Sequence, residues 1–93
     1  MAVTVRIPSP LRRITGGAAR VDATGSTVRE ALDSLVAAYP GLGDRVYDEQ
    51  AQLRRFVNLF VGEEDIRFLD GLDTPLSDGA ELSIVPAVAG GAR

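Results

Sequence analysis

The sequence predicts a two-layer α+β roll, with one helix covering one face of a single sheet. Three observations lead there. Val3-Thr4-Val5-Arg6-Ile7 alternates apolar and polar residues, the pattern of a half-buried strand. Val28, Ala31, Leu32, Leu35, Val36 and Tyr39 recur at helical spacing along one stripe. Two late apolar runs, Arg55–Val61 and Leu82–Val85, read as further strands. A single helix among strands has only the sheet's apolar face against which to bury its stripe.

The elements follow in order. Pro8-Ser9-Pro10 ends the first strand, and Leu11–Gly17 forms a broad turn into a short second strand at Arg20–Ala23, which pairs with the first as a hairpin. Thr27 with Glu30 fits a capping box that opens the helix, and Pro40-Gly41 stops it. Leu42–Arg54 is polar and irregular, with one short turn near Gly43–Tyr47. After the Arg55–Val61 strand, Gly62–Asp65 is a turn and Ile66-Arg67-Phe68 a brief edge strand. A loop anchored by Leu69, Leu72 and Leu76 leads to the last strand. Alternation turns Val3, Val5, Ile7, Val57, Leu59, Val61, Leu82 and Ile84 toward the helix, and Arg6, Phe60 and Val85 away from it. Phe60 and Val85 then make an apolar docking surface unless the loop from Leu69 to Leu76 folds over them.

Composition excludes several kinds of chemistry. Ninety-three residues make one small domain with little room for both a core and an enclosed active site. Histidine and cysteine are absent, so there is no Cys/His metal site, no disulfide, no thiol nucleophile and no imidazole base. No base pairs with Ser9, Ser26, Ser34, Ser77 or Ser83, and no enzyme activity of the chain's own is expected. All ten basic residues are arginine, a bias that a GC-rich coding sequence explains, and the net charge is −3. Scattered arginines make no basic stripe, which argues against nucleic acid as a partner. No apolar run approaches a membrane span and no signal peptide is visible, so a soluble, cytoplasmic protein is expected.

The C-terminal segment carries the functional signal. Pro86 has no N–H to continue a ladder, so the sheet is expected to end there. Residues 1–86 form the domain, and 87–93 a flexible tail, Ala87-Val88-Ala89-Gly90-Gly91-Ala92-Arg93. Small residues and a diglycine let such a tail stay extended and enter a narrow channel. A disordered chain end also favours glycine and alanine, and Gly16-Gly17 shows that the dipeptide alone is a weak signal.

The element order, the Thr-initiated helix, Leu76-Ser77-Asp78-Gly79 before the last strand and Pro86–Gly91 after it resemble the MoaD/ThiS family of sulfur carriers. Within the family, Arg55–Val61 with Glu64-Asp65-Ile66-Arg67-Phe68 is most similar to the carriers that deliver sulfide for cysteine synthesis. The resemblance implies a ubiquitin-like β-grasp fold: a mixed sheet of four to five strands with one main helix on one face. It implies that the Gly91 carboxylate is adenylated by a ubiquitin-activating-type enzyme and converted to a thiocarboxylate. Gly90 is then its channel partner, and Val85 sits where the family contacts its activating enzyme. ATP is consumed by that partner, and no cofactor or metal is held by the chain. A sulfur-accepting synthase is the further partner; no membrane and no nucleic acid are involved.

One departure stands out. Here Gly91 is followed by Ala92-Arg93, so Gly91 and Ala92 mark a processing site. The resemblance assigns the cut to a JAMM-type metalloprotease. Three readings remain open on the sequence: a sulfur carrier, a ubiquitin-like modifier conjugated through Gly91, and a plain interaction domain whose tail does nothing. Among carriers, cysteine synthesis leads, followed by sulfur-containing natural products, and a molybdopterin synthase small subunit comes third.

Overall fold

The computed structural model describes residues 2–55 and 57–86. Its five-stranded mixed sheet runs β2-β1-β5-β3-β4, with β1 at Ala2–Arg6, β2 at Arg20–Thr24, β3 at Val57–Val61, β4 at Glu64–Asp65 and β5 at Glu81–Pro86. β1 pairs antiparallel with β2 and parallel with β5, so the first and last strands lie side by side near the middle. β3 runs antiparallel to both β5 and β4. The expected hairpin, the mixed sheet and the single main helix are all present.

That helix, α1, spans Val28–Ala38. Thr27 is its extended N-cap, and its hydroxyl accepts the Glu30 N–H at 3.2 Å. The Glu30 carboxylate closes the box one residue earlier than expected, accepting the Ser26 N–H at 2.8 Å and the Ser26 hydroxyl at 2.9 Å. These bonds occupy donors that the first helical turn leaves open. Gly25 makes this corner possible. A Cβ there would stand 2.6 Å from the Ala31 nitrogen, and its φ of +156° belongs to the region glycine favours.

The core lies between α1 and one sheet face. Val28, Ala31, Leu32 and Leu35 of the helix meet Val3, Val5, Leu59, Leu82 and Ile84 of the strands, all buried. Val57 and Val61, expected among them, are only half-buried. Leu42, Val46, Ile66 and Leu76 close the sides; Val46 comes from α2, Gly43–Val46, the short turn the sequence indicates.

Two expectations fail. Ile66-Arg67-Phe68 is a 3-10 turn, and the edge strand is Glu64–Asp65 instead. The Asp65 carboxylate accepts the Arg67 N–H at 2.8 Å and clamps the guanidinium at 2.7 Å, a local bond that competes with a ladder. Phe68 is left 84% exposed. The loop anchors also differ: Leu76 is buried and Leu72 packs against the core, but Leu69, whose N–H closes the 3-10 turn onto the Ile66 carbonyl, is exposed. This loop runs to the start of α1 rather than over the sheet. Val28 N–H donates to the Thr74 carbonyl at 3.0 Å and Leu76 N–H to the Ser26 carbonyl at 2.8 Å.

Among the described residues no helix is long and apolar enough to cross a membrane. Gly90, Gly91 and Ala92, and the rest of the expected tail, lie outside the described residues.

Candidate functional site

The tail's departure point is fixed by β5. Leu82 and Ile84 face the helix, and Ser83 and Val85 face the other way. Pro86 is the last residue of β5 and still pairs with Val57, so the strand ends at the proline as expected. Proline is tolerated at this register position because it still offers a carbonyl. In register, Val85 lies opposite Asn58 and Phe60 opposite Ser83, which places Val85 and Phe60 diagonally on the outer face. Val85 is 41% exposed, whereas Phe60, flanked by Ser83 and by Asp65 of β4, is half-buried. The expected apolar surface therefore rests chiefly on Val85, with Phe60 contributing part of its ring.

Two recesses flank the last residues of β5. One, about 240 Å³, is lined by Pro10, Leu11, Val57 and Pro86 together with Arg45 and Arg54. The other, about 360 Å³, lies beside Ser83 and Val85 and is lined by Arg6 and Arg12. Local structure brings these four arginines together from remote parts of the chain. Arg6 ends β1, next to β5. Arg12 follows a 3-10 turn at Ser9–Leu11, and its Nε–H donates to the Ile7 carbonyl at 3.0 Å, folding the side chain back. Arg45 belongs to α2. Arg54 returns to α2 because Asp48 closes the intervening loop, accepting the Gln50 and Gln52 N–H groups at 2.9 and 3.0 Å. Its own N–H then donates to the Val46 carbonyl, and its Nε–H to the Asp44 carbonyl at 2.7 Å.

The sequence reading missed this cluster. Positions 6, 12, 45 and 54 look scattered, and only the parallel β1–β5 pairing and the Asp48 loop gather them. The resolved electrostatic shifts lie elsewhere. Main-chain and hydroxyl donors of Ser26 hold the Glu30 carboxyl below the usual range, and Arg67 does the same for Asp65. Burial, reinforced by Asp33, pushes Tyr47 up to about 12. Among the described residues no cluster of acidic groups could hold a metal ion.

Comparison with known proteins adds a family. The family model described as the ThiS family matches residues 5–91. The sulfur carrier protein CysO of Mycobacterium tuberculosis is 46% identical over 93 residues, covering 98% of this chain and all of that protein. A chain of the crystal structure of the Amycolatopsis orientalis BexX/CysO complex superimposes with a TM-score of 0.86 at 44% identity, covering 92% of this chain and 96% of that one. Small archaeal modifier protein 3 of Haloferax volcanii is 35% identical over 94 residues, 98% of this chain and all of that protein. The β-grasp fold and the similarity to sulfur carriers of the CysO kind, both expected from the sequence, are borne out.

Proposed function

This chain belongs to the ThiS family, and on that premise we propose that it is a sulfur carrier, charged at Gly91 and discharged to a biosynthetic enzyme. The observation that carries the reading is the full-length similarity to CysO, combined with a last strand that leads through Pro86 into a Gly90-Gly91 tail. A carboxylate resists attack by sulfide because it already carries negative charge. The activating partner joins the Gly91 carboxylate to AMP from ATP and releases pyrophosphate. A sulfur donor then displaces AMP and leaves a thiocarboxylate. This chain supplies the acyl group and acts as co-substrate, and ATP binds the partner. With no cysteine or lysine anywhere in the sequence, no thiol or amine side chain of the carrier can capture its own activated end.

Val85 and the accessible part of Phe60 seat the activating enzyme, and Gly90 passes its channel. In this sequence Gly91 is tied to Ala92 by a peptide bond, so a protease of the JAMM metalloprotease type must cut before activation. The acceptor is a pyridoxal-phosphate cysteine synthase, by likeness to CysO; the similarity to a chain of the BexX/CysO complex supports a natural-product synthase as the next choice. A molybdopterin synthase ranks below both. An ATP-dependent cycle of this kind belongs in the cytoplasm.

Intact-mass spectrometry tests the carrier reading. A version ending at Gly91, incubated with the activating enzyme, ATP and a sulfur donor, gains the mass difference of one oxygen-to-sulfur exchange; no such gain counts against it. Full-length protein stays inert until clipped, and equal sulfur acceptance with Ala92-Arg93 attached removes the processing step. The similarity to small archaeal modifier protein 3 favours a second reading, conjugation of Gly91 to lysines of other proteins. High-mass conjugates that survive denaturant and reductant would mark it.

A further inference from the structure

Thirteen acidic residues outnumber ten arginines in this chain, yet none of them lines either recess beside the end of β5. Arg6, Arg12, Arg45 and Arg54 do, two on each side. Among the described residues no carboxylate lies within 4.0 Å of any of these four guanidinium groups; the ion pairs belong to Arg20, Arg29 and Arg67. The hydrogen bonds of Arg12 and Arg54 go to main-chain carbonyls through Nε, which fixes each side chain without neutralising it. Four like charges around one strand end repel one another, and such an arrangement is stabilised by an external anionic surface.

Chain length says what surface that is. Gly91 lies five residues beyond Pro86, and five extended residues span at most about 18 Å. An enzyme that holds Gly91 in its active site must therefore bring its surface to within that distance of Pro86, and the arginines stand around that point. We infer that Arg6, Arg12, Arg45 and Arg54 form a basic collar that docks on an acidic rim at the mouth of the activating enzyme's tail channel. The collar steers and orients the carrier, while Val85 supplies the apolar contact. Arginine suits the task, since its planar fork engages carboxylates in pairs. The inference rests on the carrier reading, because it needs an enzyme that takes the tail.

Stopped-flow association with a purified ubiquitin-activating-type enzyme, at several salt concentrations, tests it, wild type and variants alike ending at Gly91. Arg6→Glu and Arg45→Glu change exposed side chains that make no side-chain hydrogen bond among the described residues. Each should slow association, and together they should slow it roughly tenfold at low salt, with most of the gap closing near 1 M salt. The neutral pair Arg6→Gln/Arg45→Gln should slow it less, in the same direction. Glu63→Arg, in the turn at the opposite end of β5, raises the net charge by two units and should leave the rate within about twofold. Thermal melting confirms that each variant is folded. If wild type accepts sulfur and the collar variants associate at its rate, the collar is wrong and the carrier reading survives. Acceleration by Glu63→Arg as large as the collar's slowing would assign the effect to net charge and overturn the collar too. Wild type that neither binds the enzyme nor accepts sulfur would overturn both.

Discussion

At the Glu81 end of β5 the surrounding loops are tied to each other, whereas at the Pro86 end four arginines line the two flanking recesses with no carboxylate within 4.0 Å of their guanidinium groups among the described residues. At the first end Ala2 N–H donates to the Asp78 carboxylate at 2.9 Å, Gly79 N–H to the Ala2 carbonyl at 2.7 Å and Gly62 N–H to the Glu81 carbonyl at 3.0 Å. Thr74 is buried there, its hydroxyl donating to the Gly71 carbonyl and accepting the Asp70 N–H. One end of the strand thus spends its polar groups on folding. The other ties Arg12 and Arg54 to main-chain carbonyls but leaves their charges without a carboxylate partner among the described residues. Stability and recognition are separated along a single strand.

The contrast is broken most severely from within the core. Leu82 is fully buried, so Leu82→Ala should cost about 3 kcal/mol in chemical denaturation. Val85, three residues on and facing outward, should lose less than about 0.5 kcal/mol as Val85→Ala. Val85→Asp should still fold but bind the activating enzyme poorly, because a carboxylate would be desolvated in an apolar contact. A Val85→Ala loss as large as that of Leu82→Ala would mean that the strand faces are inverted. At the closed end, Thr74→Val keeps the shape but removes the hydroxyl's bonds to the Asp70 N–H and to the Gly71 carbonyl, which still accepts the Thr74 N–H. A loss of about 1 kcal/mol is expected, read from the same denaturation curves. At the open end, Arg45→Gln should change stability by less than about 0.5 kcal/mol, and any change should be favourable because repulsion falls. A clear destabilisation by Arg45→Gln would show that the collar is structural.

These differences track what was legible in the sequence. Periodicity placed β1, β2, α1, β3 and β5, because each buries one regular face, and Leu32, Leu59 and Leu82 proclaim that face in any register. Thr27 marked the helix start, although Glu30 reaches Ser26 rather than Thr27, since a flexible carboxylate picks the nearest donor. The 3-10 turn at Ile66–Phe68 was read as strand because Ile-Arg-Phe alternates; what overrode it was one side-chain bond from Asp65, invisible to periodicity. The tail motif announced itself because its chemistry lies in consecutive residues. The collar did not, for its four members approach only after the chain has closed, and charge counted along the sequence carries no trace of it.

The smallest expected effect comes from pH, and it separates the two ends without a mutation. Glu30 and Asp65 both have folded-state pKa values below their ordinary ones, so the unfolded chain takes up protons before the folded chain does. The stability they contribute is complete above the ordinary carboxylate range and is lost as pH falls through their lower folded-state values. Tyr47 works in the other direction. Its raised value means that its contribution is complete below about pH 10 and is lost as pH climbs toward about 12. Near neutrality none of these groups changes charge, so stability should be flat there. On acidification the amide signals of Ser26 and Arg67, which donate to the Glu30 and Asp65 carboxylates, should shift in NMR spectra as those groups protonate. The amide of Arg12 donates to the Ser9 carbonyl instead and should stay in place until the chain unfolds. If it moved with the same midpoint as those of Ser26 and Arg67, a carboxylate would have to lie near it in solution, and the division between the two ends would fail.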